Sequence, residues 1–338
     1  MNRFDYFRAS DINEAVQARA ADTAARFIAG GTNLIDLMKE NVARPTRLID
    51  ITDLPLRAVT RLDGGGLRLG ALSTNADVAY HPDVEANYPL LSSAILAGAS
   101  AQLRNVATTG GNLLQRTRCY YFYDTATACN KREPGSGCPA LQGVNRMHAI
   151  LGASAACIAT HPSDMCVALA ALAATVHVTG VNGDRVIPFE AFHRLPGDKP
   201  EIDTTLKDDE IITSVDLPSK TFMDHYTYLK LRDRASYAFA LVSVAVALDL
   251  DGPAVTQARL ALGGVAHKPW RDTNAEAFMK GQTAGERLFR DVADAVLRHA
   301  KGYGHNAFKI ELARKAIVRA LSQAAAGTPQ LQANKRIQ

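Results

Sequence analysis

All five cysteines of this 338-residue chain, Cys119, Cys129, Cys138, Cys157 and Cys166, fall inside one short run. An odd set crowded into one segment of a long chain makes a poor disulfide framework and suits a ligand set for a metal or cluster better. The order is C-x9-C-x8-C-x18-C-x8-C, which matches neither the CxxC pairs of zinc ribbons nor the runs of ferredoxins. Spacing alone therefore predicts a four-thiolate site with the metal unspecified. Cys166 stands among Val167, Leu169 and Ala170 on an apolar run and reads as a buried thiol serving as a small hydrophobe. The ligands are then Cys119, Cys129, Cys138 and Cys157, with His148 and His161 as possible substitutes that four thiols do not require. The aromatics Tyr120 to Tyr123 beside Cys119 would help keep water from a buried cluster, or are ordinary packing.

Two glycine pairs form the second chemical feature. Phe27-Ile28-Ala29 ends a strand at Gly30-Gly31, and a helix begins near Thr32-Asn33 and runs through Leu34 to Met38. Backbone amides of such a turn and of a helix's first residues point one way and can cradle an anion; a tight turn with no ligand is the alternative. Thr108-Thr109-Gly110-Gly111-Asn112 repeats the pattern about eighty residues later, so the two turns could converge on the two phosphates of one pyrophosphate. Neither GxGxxG nor GxxxxGK[ST] is present, which disfavours a nicotinamide Rossmann domain and a P-loop nucleotidase.

The elements that must position these groups follow from periodicity and punctuation. The chain is longer than one core usually fills, and a hydrophobic content of 47% with 21% charged residues is that of a folded globular protein. A net charge of +4, dispersed along the chain, gives no nucleic-acid footprint. The longest apolar stretches, Val167 to Val176 and Ala238 to Leu248, fall short of a membrane span. Met1 to Tyr6 lacks a secretory signal pattern, so the chain is not expected to export itself.

Residues 1–52 read as one αβ unit with strands at Ala25 to Ala29 and Leu48 to Ile51. Residues 53–220 read as a second, with a strand at Leu67 to Leu72, a helix capped by Ser73 or Thr74, a helix from Leu90 to Gln102 and an irregular insertion at about 115–158. A helix follows from Met165 to Ala174, capped by Ser163 or Asp164, then a hairpin turning at Asn182-Gly183 and a strand from Glu210 to Leu217. A composition shift at Ser219 to His225 opens a third unit, 225–330, of three antiparallel strands followed by helices near Asn274 to Lys280, Gly285 to Ala300 and Asn306 to Ala326. Residues 331–338 read as a tail.

With Phe27-Ile28-Ala29-Gly30-Gly31-Thr32-Asn33-Leu34 and Thr108-Thr109-Gly110-Gly111-Asn112-Leu113 in view, the chain resembles the FAD-binding subunit of the molybdenum hydroxylases, the xanthine dehydrogenase, carbon monoxide dehydrogenase and aldehyde oxidoreductase enzymes. The likeness covers nearly the whole length and includes His161-Pro162-Ser163-Asp164, Tyr228-Leu229-Lys230-Leu231-Arg232 and Leu262 to Arg271. The cysteine loop, with Cys119-Tyr120-Tyr121-Phe122-Tyr123-Asp124, Cys129-Asn130-Lys131-Arg132 and Gly135-Ser136-Gly137-Cys138, resembles that of the bacterial three-subunit aldehyde oxidoreductases, where such a loop holds a [4Fe-4S] cluster.

The resemblance implies an α+β fold: a two-subdomain FAD-binding fold of the vanillyl-alcohol-oxidase/CO-dehydrogenase flavoprotein type, plus a C-terminal antiparallel sheet with helices. It implies that Phe27 to Leu34, Thr108, Gly110, Gly111 and Asn112 hold FAD, with backbone amides on the pyrophosphate, and that Tyr123 also belongs to the cofactor site. Asp164 would hydrogen-bond the flavin or its ribityl chain, a plain helix cap being the alternative. Lys230 would lie by the polar edge of the isoalloxazine, a solvated surface lysine being the alternative. No catalytic acid, base or nucleophile is implied in this chain. Substrate oxidation would take place at a molybdenum cofactor on a large partner subunit, and electrons would arrive through [2Fe-2S] clusters of a small one and leave from FAD to an external acceptor. The expected location is the periplasm by co-export with a partner, or else the cytoplasm. Two other readings stay open at this point, a stand-alone FAD oxidase and a non-redox assembly subunit whose cysteines bind zinc.

Overall fold

The structure is a computed structural model that describes residues 1–220 and 222–327. Three sheets carry it. The first is parallel, with Arg47–Asp50 between Asp5–Arg8 and Arg26–Ile28. Parallel neighbours need crossovers, and the helix Ile12–Ala21 and the short helix Leu34–Lys39 supply them. Asp11 caps the former, its carboxylate accepting from the Glu14 N–H at 2.8 Å. The second sheet is antiparallel and runs Val59–Arg61, Leu67–Gly70, Ile211–Leu217, Thr175–Gly180, Gly183–Pro188. Its last two strands form the expected hairpin, with Gly183 at φ +96 in the turn.

The third sheet is also antiparallel, in the order Trp270–Arg271, Ala254–Gly263, Val242–Asp251, Tyr226–Leu231. Its central strand is apolar at nearly every position because both faces are covered. Val242, Val244, Val246 and Leu248 meet Ala313, Ile317 and Leu321 of the helix Phe308–Ala325, while Ala245 and Ala247 join the core around the helices Pro89–Ala97 and Asp164–Ala171. Alternate residues of a strand point to opposite faces, so a strand packed on both sides reads as a continuous apolar run. The helix Asp164–Ala171 is buried along its whole length, which places it at the junction of the second and third sheets.

Several expectations need correction. The helix expected from Leu90 to Gln102 is two, Pro89–Ala97 and Ala101–Arg104. Ala99 takes φ +50 between them, and the Ser100 hydroxyl accepts the Leu103 N–H to start the second. Thr108 to Asn112 is not a turn leading into structure but the first turn of a helix, Thr109–Leu113, with Thr108 as its cap. Of the two caps expected for each of the next helices, Thr74 caps Asn75–Ala79 and Ser163 caps Asp164–Ala171, as the sequence allowed. The cysteine insertion is irregular apart from the single turns Tyr120–Tyr123 and Pro139–Leu141. The expected tail at 331–338 lies outside the described residues. Among the described residues no helix is long and apolar enough to cross a membrane.

Candidate functional site

The first glycine pair sits where the strand Arg26–Ile28 gives way to the helix Leu34–Lys39. Two different constraints select glycine there. A Cβ on Gly30 would stand 2.0 Å from the Val106 carbonyl oxygen, and Gly31 has φ +70, a left-handed conformation that side chains disfavour. Among the described residues, the N–H groups from Gly30 to Leu34 have no hydrogen-bond acceptor. Buried or half-buried amides without partners require a ligand or water, and here they line a chamber of about 290 Å³ with Phe27, Ile28, Ala29 and Thr108. The turn expected to cradle an anion thus presents unpartnered amides to this chamber.

The second glycine pair behaves differently. The Thr109 N–H donates to the Ser73 carbonyl at 2.9 Å, Gly110 to the Ala71 carbonyl at 2.8 Å, Gly111 to Thr108 Oγ1 at 3.2 Å and Asn112 to the Thr108 carbonyl at 2.8 Å. All four amides are spent inside the protein, so this stretch is a wall and not a second amide cradle. Gly110 packs against Ala71, 3.3 Å from where its Cβ would be, whereas a Cβ on Gly111 would meet only Thr108 Oγ1, at 2.9 Å. Gly111 faces the cleft, and its missing side chain leaves the space open.

Thr32, Asn33 and Gly111 also line a second chamber of about 670 Å³, so the two chambers meet at the glycine turns. The combined cleft mixes apolar walls with polar and charged groups, as a large cofactor site should. Asp164 and Lys230 lie in the second chamber. The carboxylate accepts from the Tyr228 hydroxyl at 2.7 Å and from Lys230 Nζ at 2.8 Å, and Nζ also donates to the Ala97 carbonyl at 3.0 Å. Tyr228 and Lys230 are two apart on the strand Tyr226–Leu231 and so share a face. The Lys230 side chain is only 5% exposed, which removes the solvated-lysine alternative. Burial, reinforced by the adjacent Asp164 carboxylate, pushes the Tyr228 phenol well above its ordinary value.

Tyr123 lines neither chamber. Its hydroxyl accepts from Arg118 at 2.7 Å and donates to Asp36 at 3.0 Å, and burial pushes it up to about 12. Tyr120, an exposed neighbour one turn earlier, lines the second chamber instead, together with Asn75, Arg104, Arg234 and Tyr237. Sequence reasoning missed these four. Asn75 carries a buried Oδ1 without a partner, but nothing in a capped helix start singles it out, and the other three belong to segments with no motif.

Cys119, Cys129, Cys138 and Cys157 line one small pocket, together with Lys131 and His148. All are free thiols. Burial pushes Cys119 up to about 12 and Cys157 up to about 11, against backbone N–H groups that point at the sulfurs: Phe122 and Tyr121 at Cys119, and Ala159 at Cys157. Burial also raises Cys138, opposed by the N–H groups of Ile158, Ala140 and Leu141. Such an N–H shell stabilises anionic sulfur, while the surroundings penalise it. A multivalent soft cation resolves the conflict by making all four thiolates its ligands, so the donor set fits a zinc ion or an iron–sulfur cluster.

Cys166 is outside this pocket and wholly buried on its helix, in keeping with a packing role. It approaches His161 and His193, the three ligand atoms lying within 4.8 Å of one another. The His193 Nε2 bonds the Leu113 carbonyl at 2.8 Å and the His161 Nδ1 accepts the Ser163 N–H at 3.4 Å. Burial lowers both imidazoles, His193 to about 4. This group packs behind the helix start that presents Asp164. His161 does not line the four-cysteine pocket, whereas His148 does.

A two-chamber cleft with a free-amide turn at its waist, carried by a small parallel sheet, an antiparallel sheet and a separate antiparallel C-terminal sheet, defines a flavin-binding α+β protein. Residues 2–220 match the FAD binding domain in molybdopterin dehydrogenase, and residues 226–324 match the CO dehydrogenase flavoprotein C-terminal domain. The chain belongs to the FAD-binding medium-subunit family of the molybdenum hydroxylases, with the vanillyl-alcohol-oxidase/CO-dehydrogenase type of flavoprotein fold. It is 49% identical over 328 residues, 96% of this chain and 99% of the other, to the aldehyde oxidoreductase FAD-binding subunit PaoB of Escherichia coli K12. It is 25% identical over 95% of its length to the carbon monoxide dehydrogenase medium chain of Hydrogenophaga pseudoflava, covering 97% of that chain. A solved carbon monoxide dehydrogenase from that organism superposes with a TM-score of 0.76 at 26% identity, covering 96% of this chain and 98% of that one.

Proposed function

We propose that this chain is the electron-transfer flavoprotein subunit of a molybdenum-dependent aldehyde oxidoreductase, and that Cys119, Cys129, Cys138 and Cys157 carry a [4Fe-4S] cluster. The observation that carries the reading is the pairing of a four-thiolate pocket with the two-chamber cleft in a chain 49% identical, end to end, to an aldehyde oxidoreductase FAD-binding subunit.

The FAD pyrophosphate would lie on the free amides of Gly30 to Leu34, the adenosine end in the chamber behind Phe27 and Ile28, and the isoalloxazine in the chamber of Asp164 and Lys230. When bound, the flavin supplies exchange between one-electron and two-electron chemistry. The protein's part is positional and electrostatic. Asp164, already bonded by Tyr228 and Lys230, is held in one orientation, and the buried Lys230–Asp164 pair gives the polar chamber a fixed, oriented dipole without net charge. Gly31 and Gly111 keep the waist of the cleft clear of side chains.

The partners are a large molybdenum-cofactor subunit, where the aldehyde is oxidised to the carboxylic acid, and a small subunit with [2Fe-2S] clusters that feeds this chain. Electrons leave it for an external acceptor. We place the assembly in the periplasm by co-export with a partner subunit, which fractionation of cells with and without that partner tests. The function itself is tested by affinity purification of the tagged full chain under anaerobic conditions, with identification of bound subunits and an aldehyde-to-dye assay. The complex should turn over and the chain freed of molybdenum should not. Aldehyde oxidation by the isolated chain would replace this reading with that of a self-sufficient FAD oxidase.

A further inference from the structure

A further small cavity lies between the four-cysteine pocket and the polar chamber of the cleft. It shares Cys119 and His148 with the first and Ser163 and Asp164 with the second. Cys119 is therefore the corner of the cysteine pocket that faces the cleft. At that corner the His148 Nε2 lies 3.0 Å from Cys119 Sγ. A thiolate bound to a metal has no proton, so the imidazole must be the donor in this contact.

The ring is not free to leave. His148 is only 2% exposed, and its backbone is tied on both sides. Its N–H donates to the Asn145 carbonyl at 2.9 Å, and its carbonyl accepts from Lys309 Nζ at 2.8 Å. Lys309 is fully buried at the start of the long C-terminal helix and also donates to the Gly264 carbonyl at 2.6 Å. Asn306 Nδ2 donates to the neighbouring Ala149 carbonyl at 2.9 Å. Two side chains of the third unit thus fix the position of a residue whose ring touches the cysteine pocket of the second.

We infer that His148 is a positioning residue for the iron–sulfur group: its Nε2–H donates to Cys119 Sγ at the corner facing the flavin chamber and so raises the reduction potential of the cluster there. The inference rests on the cluster reading given above. Its physical basis is that a reduced cluster carries more negative charge on its sulfurs, so a donor to a ligand sulfur stabilises the reduced form more than the oxidised one.

The test uses the complex purified anaerobically with its partner subunits, a redox titration of the cluster followed by electron paramagnetic resonance, and iron and sulfide analysis. His148→Leu should keep the cluster and shift its midpoint to lower potential, and His148→Gln, which retains an N–H donor, should fall between the two. An unchanged midpoint in iron-replete His148→Leu protein would overturn the inference. If His148→Leu loses its iron, the unsubstituted complex decides, grown with histidine labelled with 15N in the ring. A ring-15N coupling to the reduced cluster supports the contact and its absence refutes it. Absence of iron and sulfide from the unsubstituted chain would instead sink the cluster reading on which this rests.

Discussion

Replacing Lys230 by Met removes the ammonium that bonds Asp164 in the polar chamber while keeping most of the side-chain volume. Both partners are nearly sealed from solvent, with side-chain exposures of 5% and 8%. Breaking a buried ion pair by removing one partner costs about 3–5 kcal/mol, because the remaining charge is left uncompensated. The Tyr228 hydroxyl still bonds one carboxylate oxygen at 2.7 Å, so the cost of Lys230→Met should lie near the low end, about 3 kcal/mol. Asp164→Asn leaves the ammonium with the Ala97 carbonyl at 3.0 Å and should cost a similar amount. In the double variant no charge is stranded, and its loss should be smaller than the sum of the two by about 2–3 kcal/mol. Urea unfolding of the full chain, stripped of flavin so that binding does not enter, measures all four corners of the cycle. Additive losses, or a Lys230→Met loss below about 1 kcal/mol as for exposed pairs, would refute the claim that burial makes this pair strongly coupled.

Three further outcomes follow from the same geometry. Gly30→Ala should abolish FAD retention, because the new Cβ falls 2.0 Å from the Val106 carbonyl and must displace the cradle, and Gly111→Val should do so by filling the waist; flavin absorbance of the purified chain checks both. Cys119→Ser, Cys129→Ser, Cys138→Ser and Cys157→Ser should each lose metal, whereas Cys166→Ser should keep it, and finding zinc without iron in the unsubstituted chain would assign the pocket to zinc. Stability should fall on acidification through Asp203: burial alone would raise its carboxyl, but Lys131, Arg116 and His267 outweigh burial and hold it well below the usual range. A depressed carboxyl contributes stability that is present above the unfolded value near 4 and is lost as pH drops toward the folded one. Thermal melts between pH 5 and 3 should therefore show a steeper decline in the unsubstituted chain than in Asp203→Asn.

Elements with strong periodicity or sharp punctuation were legible in the sequence: the hairpin at Asn182-Gly183, the strand ended by Pro218 and the amphipathic C-terminal helices. Short edge strands such as Asp5–Arg8 and Val59–Arg61 were not, since their residues are mostly exposed and show no alternation. The break at Gly98 was missed because a single glycine inside an otherwise helical run does not by itself end a helix; the left-handed Ala99 and the Ser100 cap complete the division.

The cofactor cleft shows why motif symmetry is a weaker guide than backbone bookkeeping. Gly30-Gly31 and Gly110-Gly111 look alike as strings, and both line the cleft. Whether a glycine turn can grip an anion depends on where its N–H groups already go, and that is decided by residues distant in sequence. The carbonyls of Ala71 and Ser73, at the end of the strand Leu67–Gly70, take the amides of Gly110 and Thr109, whereas among the described residues no such acceptors reach Gly30 to Leu34. The same remoteness hid the Lys230–Asp164 pair, 66 positions apart, and the His148–Cys119 contact, 29 apart. In each case residue type announced what the group could do, and contacts between residues distant in sequence determined whether it was free to do it.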